Sequence, residues 1–594
     1  MVRRTKGIAM AIRKYKYYKS EKIHDLREML QNTVRQHGSR PMCHQKENGR
    51  YVAHTYYEFY RDVRILGAAL LRRGLVGKKI ILTGDNCYAW SLTYMATVCG
   101  LGVIVPVDKE IPAEELANIA RVSGAAAIVF ADKYKEKADG AGKKLQKFSF
   151  SEVLDIVKRE DVCSASDFAA YDELSIDIDA MASLIFTSGT TGVSKGVMLS
   201  QRNICTNLEN LAKLVNIEPT DVALSVLPPH HVYECTAGFL YPLSRGAAVA
   251  YSEGVRYIMK NMKEIHPTKM LCVPLLVETV YNKIWANIRK KGIEAKVRNV
   301  IKVTDMIQPE SARMAAKRKA FAEIHESLGG KLNLLVSGGA PVDPNVLAGM
   351  RAFGFRIIQG YGLTECAPLA AVNPDRAPKD VSAGVVLPGG QLKIVNADAD
   401  GIGEICYRGD NVMLGYYNMP AETAEVKKNG WLMTGDLGYI DRDGYLIITG
   451  RKKNVIVTAN GKNIFPEELE TYLLRSNYVS ECVVLGFMNE KKKDYDIVAL
   501  IYPDRAYAAE MLGASAGEKE IYEQICRVVD EVNATVQTYK RISLTILRQE
   551  EFVKNSSRKI KRVGLADSVK HEDLAKRGES YIDRHPRGRS GVAI

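Results

Sequence analysis

The chain has 594 residues, 46% of them hydrophobic and 26% charged, which suits several folded units and excludes a disordered chain. Its formal net charge is +14, of which residues 1–22 supply +7 and residues 551–594 supply +5. A nearly balanced body between two basic ends argues against a nucleic-acid binder and fits anionic small molecules or a membrane surface.

The N-terminal stretch MVRRTKGIAMAIRKYKYYKS is basic and lacks an uninterrupted apolar h-region, so a signal peptide is not expected. Residues 1–22 read as a basic arm with Ile8, Ile12, Tyr15, Tyr17 and Tyr18 interleaved. The arm suits either a solvated segment or an anchor at an anionic bilayer. Asn86–Val107 carries no charge over a length that could span a membrane. Its Ser, Thr, Gly and Pro content favours a buried helix over about Tyr88–Cys99 and a buried strand over Gly102–Val107. Around it, KKIILTGDN, GVIVPVD and AAIVFADK alternate with helical segments, a β-α-β series that predicts a parallel sheet covered by helices. A polar connection over about Asp161–Asp179 leads to the strand SLIFTS. Residues 281–330 read as a basic helical insertion with a solvated face, and the chain after Gly384 as turn-rich β structure with a hairpin at Asp443-Gly444. From Arg451 a compact α/β segment of roughly 120 residues is expected, ending in an Arg- and Gly-rich tail over 571–594. Eleven scattered cysteines form no CxxC pair, which excludes a disulfide framework and a zinc site and points to a reducing, cytoplasmic compartment.

Between the strand SLIFTS and the next helix lies TSGTTGVSKG, Thr187–Gly196. Glycine turns free backbone N–H groups, and five hydroxyls and one lysine surround them, as a phosphate cradle requires. Ser194 stands before Lys195 and Gly196 after it, so this is not a Walker A loop, and GxGxxG does not occur in it. The decapeptide resembles the signature of the adenylate-forming superfamily. Further segments resemble that family's blocks in order: SGGAP at Ser337–Pro341, QGYGLTE at Gln359–Glu365, GEICYRGDNVMLGYYN at Gly403–Asn418 and TGD at Thr434–Asp436. GRKKNVIV and GKNIFPEELE follow within Gly450–Glu470, and then VKNSSRKIKR at Val553–Arg562. The last block departs from the usual PKTxxGKIxR, with Val553 for proline and Arg558 for glycine, but keeps Lys559 before Ile560. The similarity covers roughly residues 20–570 and is closest in character to long-chain acyl-CoA synthetases.

The resemblance implies an α/β fold. Residues 23–450 would form a large N-terminal domain of mostly parallel sheets packed with helices plus a distorted β-barrel. Residues 451–570 would form a small mobile C-terminal lid domain. It also implies two half-reactions: a carboxylate attacks the α-phosphate of ATP to give acyl-AMP and pyrophosphate, and a thiol then displaces AMP. On that pattern Thr187, Ser188, Gly189, Thr190, Thr191 and Lys195 hold the β- and γ-phosphates. Gly339, Ala340, Gln359, Gly360 and Tyr361 form the adenine site, with Tyr361 stacking on the base. Thr364 contacts the α-phosphate, and Glu365 holds Mg²⁺ through a hard oxygen. Asp436 and Arg451 bind the ribose, Lys559 bridges carboxylate, ribose and α-phosphate, and Lys453 marks the hinge. His231, in LPPHHVYE, lies beside the acyl pocket, with His230 as a competing candidate. No aspartate follows that block, which disfavours an amino acid, and KMLCVPLLVETVYNKI with the basic insertion after it resembles long-chain acyl-CoA synthetases, which implies a medium- or long-chain fatty acid. No carrier domain follows the lid segment, so coenzyme A is the expected acceptor. The rivals are a ligase that delivers the acyl group to a carrier protein, a ligase for aryl or other acids, and a catalytically impaired ATP- and acyl-binding protein.

Overall fold

The computed structural model of the chain describes residues 16–159, 163–187, 194–460, 462–489, 492–513, 516–554, 560–562, 564–567 and 569. Ser188, Gly189, Thr190, Thr191, Arg558 and Lys559 lie outside the described residues.

Two sheets organise the first 450 residues. One has seven strands, in the order Gly415–Tyr416, Lys195–Ser200, Met181–Thr187, Gly102–Val107, Lys78–Thr83, Ala127–Phe130 and Gln146–Ser149. Its last five strands pair in parallel, as the β-α-β series predicts, and the first two pairings are antiparallel. Ala127–Phe130 is buried at all four positions, as expected for a parallel strand covered on both faces. The uncharged stretch divides into a helix, Tyr88–Ala96, a π turn, Thr97–Leu101, and the strand Gly102–Val107. The ring of Trp90 stacks on Tyr94 in the core, and no described helix is long and apolar enough to cross a membrane.

The other sheet changes character at one strand. Pro41–Glu47, Ala248–Tyr251, Val222–Ser225, Lys269–Cys272, Leu334–Ser337 and Arg356–Gly362 pair in parallel in that order. The second half of Arg356–Gly362 then pairs antiparallel with Leu369–Val372, opening an antiparallel wing that runs out to Gln391–Val395. The turn-rich segment expected as a distorted barrel is thus continuous with the parallel sheet.

Two sequence expectations need refinement. The connection read as polar contains a helix, Ala165–Asp172, opened by a reciprocal cap between Ser164 and Asp167. The insertion forms four helices within Pro274–Ser327, but its charges are not all solvated. Lys317 is buried and pairs with Asp305 at 2.6 Å, while Arg318 donates to the carbonyls of Gly330 and Leu332.

Beyond Arg451 stands a three-stranded sheet, Val479–Asn489, Asp494–Pro503 and Leu544–Leu547. The helices Pro466–Leu473 and Glu518–Thr535 cover it with a separate core around Leu469, Ile525 and Val529. The Arg475 guanidinium reaches back to the Asp343 carboxylate at 2.6 Å.

Candidate active site

The strand that joins the two halves of the large sheet carries Gln359, Gly360 and Tyr361. Gly362 ends it because no other residue fits: a Cβ there would lie 1.9 Å from the Pro368 carbonyl oxygen. The chain then turns through a short 3₁₀ segment, Thr364–Cys366. Two buried asparagines from distant elements clamp this turn. The amide groups of Asn207 and Asn411 each donate to the carbonyls of both Cys366 and Leu369, at 2.7–3.0 Å. Thr364 and Glu365 therefore stand on a rigid support, which catalytic groups need if they act by position.

The structure gathers the ribose candidates around Tyr361. Its phenol donates to Asp436 Oδ2 at 2.8 Å, and Arg451 Nε lies 3.0 Å from Asp436 Oδ1. Asp436 is buried and Arg451 half-exposed on neighbouring antiparallel strands, where the two residues are register partners. Burial, with Asp436 beside it, pushes the Tyr361 phenol well above its ordinary pKa, so it stays a donor. Gln359 is turned inward. Its amide accepts from the Val342 N–H and donates to the Asp380 carbonyl, so its side chain joins two loops and does not line an open face. Gly339, in the left-handed region at φ 88°, and Ala340 form the exposed loop that Gln359 holds from behind.

On the seven-stranded sheet, Thr187 and Lys195 end adjacent strands as register partners, one on each side of the glycine-rich loop. The Lys195 ammonium lies 4.8 Å from the centre of the Tyr416 ring, and the Tyr416 hydroxyl donates to Glu365 Oε1 at 2.7 Å. Sequence reasoning quoted Tyr416 inside a block but gave it no role. Among the described residues nothing donates to Glu365 Oε2, and no cluster of three metal-ligating side chains exists. A single carboxylate beside a phosphate loop suits Mg²⁺, which is held by one or two carboxylates together with substrate phosphates.

The rings of His230 and His231 lie 4.3 Å apart, tilted by 37°, but only His230 is buried. Burial first, and then the neighbouring imidazole, push His230 down to about 3, so it is neutral. Glu234, four residues after His230, is fully buried, and burial pushes its carboxyl up to about 8. Tyr233 packs against Gly338 of SGGAP, and its hydroxyl donates to the Val336 carbonyl on the strand that leads into that loop. At the proposed hinge, Lys453 is exposed in a turn, while its neighbour Lys452 pairs with the buried Glu404 at 2.8 Å.

Residues 30–417 match the AMP-binding enzyme family and residues 453–568 its C-terminal domain. The chain belongs to the AMP-binding enzyme family. Relatives of this AMP-binding enzyme include long-chain-fatty-acid–CoA ligase 1 of Cavia porcellus, 32% identical over 61% of this chain and 54% of that protein. Another is the chloroplastic long-chain-fatty-acid–[acyl-carrier-protein] ligase AEE15 of Arabidopsis thaliana, 28% identical over 72% and 69%. The chain spans about half the length of the first of these curated relatives. ATP-bound MatB from Rhodopseudomonas palustris shares the fold at a TM-score of 0.72, with 21% identity over 92% of this chain and all of that one. The anthranilate CoA ligase AuaEII, in complex with anthranoyl-AMP, superposes at 0.72, with 18% identity over 95% and 99%. The expected α/β fold, with a large N-terminal sheet domain and a smaller C-terminal one, is therefore the observed one.

Proposed function

We propose that this AMP-binding enzyme activates a long-chain carboxylic acid with ATP, forming acyl-AMP and pyrophosphate, and passes the acyl group to coenzyme A. The observation that carries the reading is the convergence of Thr364–Glu365 with Thr187 and Lys195 on one side and with Tyr361, Asp436 and Arg451 on the other. That set offers anion donors, one hard carboxylate and a ribose acceptor around one turn. Mg²⁺ on Glu365 would neutralise charge on the phosphates. Lys195 and the loop N–H groups position the β- and γ-phosphates, and Thr364 orients the α-phosphate, so catalysis rests on position and charge. Lys559 supplies the cation for the attacking carboxylate. The relatives named as long-chain-fatty-acid ligases and the absence of an ammonium-binding aspartate after His231 support a fatty acid. The protein is taken to work in the cytoplasm, with the basic N-terminal arm, residues 1–22, lending peripheral contact to an anionic membrane.

The test is acid-dependent ATP–pyrophosphate exchange followed by AMP release with coenzyme A across acids from C2 to C18. Exchange with the longer acids and coenzyme A-dependent AMP release are expected. Exchange without release on coenzyme A, but release on an acyl-carrier protein, would favour the second reading, which the Arabidopsis relative supports. No exchange with any acid would overturn both.

A further inference from the structure

Gly415–Tyr416 is a two-residue strand, too short to have been placed for its own stability. Backbone bonds fix it on two sides: Leu414 N–H donates to Met198, and Tyr417 N–H to Gly196, on the strand that begins at Lys195. Met413 N–H donates to the carbonyl of Glu365 itself. The Tyr416 N–H donates to Thr423 Oγ1 at 2.9 Å, which fixes the backbone from a third direction. Tyr416 as a whole is 7% exposed, so its ring sits in a packed slot. It presents its face to the Lys195 ammonium at 4.8 Å and its hydroxyl to Glu365 Oε1 at 2.7 Å. Lys195 begins a strand of the seven-stranded sheet and Glu365 lies in the 3₁₀ turn after a strand of the other sheet, 170 positions apart in sequence, and both touch this one side chain.

A phenol suits this place for two physical reasons. A lysine over an aromatic face gains electrostatic attraction without losing its charge, so the ammonium stays available to phosphate. A hydroxyl donor to one carboxylate oxygen orients the carboxylate and leaves the other oxygen for a hard cation.

We infer that Tyr416 is a positioning residue that couples the two halves of the phosphate site: its ring orients the phosphate lysine Lys195, and its hydroxyl orients the metal carboxylate Glu365. The inference rests on the reading of Glu365 as the metal group and extends it to a residue that holds two distant side chains in one geometry. It makes separable predictions for the ring and the hydroxyl. Tyr416→Phe keeps the face and removes the donor. Tyr416→Leu removes both.

The experiment measures binding, not turnover. Full-length protein is titrated with Mn²⁺ in the presence of α,β-methylene-ATP, with bound Mn²⁺ read by electron paramagnetic resonance. The affinity for the nucleotide analogue without metal is measured separately by calorimetry. Tyr416→Phe should weaken Mn²⁺ binding about tenfold, the size of one hydrogen bond to a charged group, and leave metal-free nucleotide affinity at the wild-type value. Tyr416→Leu should weaken Mn²⁺ binding as much and also lower metal-free nucleotide affinity by about threefold, the size of a modest cation–π contact. Glu365→Gln is the control for the underlying reading. If Glu365→Gln weakens Mn²⁺ binding and Tyr416→Phe does not, Tyr416 is a packing residue and the inference is wrong. If Glu365→Gln leaves Mn²⁺ binding unchanged, the metal reading fails and the inference falls with it. A variant that only melts earlier, with both affinities intact, also overturns it.

Discussion

Asp436 shows why a residue's role can be legible while its partners are not. Asp after Gly is an ordinary turn pair, and only the order of blocks marked it. The structure adds that its buried carboxylate takes the Tyr361 phenol on one oxygen and the Arg451 guanidinium on the other. Asp436→Ala should therefore raise the KM for ATP by at least about tenfold, since it removes a charged acceptor and strands a buried phenol. Arg451→Ala should cost less, because its half-exposed pair is screened by water. Steady-state kinetics at saturating acid check this order, and an equal or reversed effect contradicts it. Glu234 was invisible as a special residue. Nothing local in LPPHHVYE says that its carboxyl sits in the core with one oxygen bonded by Ser225 and the other without a described partner. Burial holds its folded pKa at about 8, against the ordinary carboxylate range in the unfolded chain. Between those values the unfolded state has released the proton and the folded state still binds it. Stability from this residue is therefore full in acid and falls as pH rises toward about 8. Glu234→Gln should flatten the fall in Tm between about pH 5 and 8. A Tm profile as steep as wild type would show that the slope belongs to other groups.

At the scale of elements, periodicity found what periodicity can carry. The parallel series over Lys78–Phe130 and the hairpin at Asp443-Gly444 were legible because apolar strands and turn residues are local signals. The helix Ala165–Asp172 was not, because it buries little beyond Tyr171, and its only strong mark is the Ser164–Asp167 cap. The joining of the parallel and antiparallel halves at Gly360 was not legible either, since one strand's switch from a parallel partner to an antiparallel one leaves no trace in composition. The terminal block also gains meaning from its surroundings. Residues 555–559 lie outside the described residues, but both legs beside them are pinned. Lys554 bridges to Ile560, Lys561 N–H donates to Val553, and Lys554 pairs with Glu481. Arg562 grips the Glu470 carboxylate, which also accepts from Val484 N–H at 2.6 Å. These contacts give the Lys559 segment fixed ends despite Val553 in place of proline. Removing Arg562 leaves a mostly buried carboxylate without its cation, which should cost about 3 kcal/mol in the unfolding of the C-terminal segment. Arg562→Ala should therefore lower that transition and slow adenylation. Adding Glu470→Gln should restore much of the stability, because the uncompensated charge is gone. A double variant no more stable than Arg562→Ala would show that the contact matters for packing alone.

At the scale of the whole molecule, the N-terminal arm changes its meaning most. Read as sequence, residues 1–22 are one basic stretch with tyrosine anchors. In the structure the second part is already engaged. Tyr18 N–H donates to the Lys213 carbonyl, its phenol donates to Asp375 at 2.8 Å, and the Arg376 guanidinium lies 3.7 Å from its ring centre. Ser20 Oγ donates to the Glu209 carbonyl at 2.8 Å, and Ile23 N–H to the Glu209 carboxylate at 2.7 Å. Residues 17–23 are thus a strap across the large domain, and Tyr18 serves the fold. Ahead of the strap, residues 1–15 hold Arg3, Arg4, Lys6, Arg13 and Lys14 and no acidic residue, beside the exposed Lys16, Lys19 and Lys22. Five cations near an anionic leaflet contribute about 1 kcal/mol each, enough for reversible, salt-sensitive attachment when Ile8 and Ile12 add apolar contact. The two parts should therefore separate by deletion. Protein lacking residues 1–15 should keep the wild-type Tm and lose co-sedimentation with phosphatidylserine vesicles at low salt. Protein lacking residues 1–22 should lose both vesicle binding and several degrees of Tm, because the strap's hydrogen bonds and the Tyr18–Arg376 stack go with it. Full-length protein should pellet with anionic vesicles, stay in solution with phosphatidylcholine vesicles, and be released by high salt. If the Δ1–15 protein still pellets like full length, the contact surface lies elsewhere, and the basic helices of residues 281–330 are the next place to test. If full-length protein never pellets, the N-terminal charge has no membrane role.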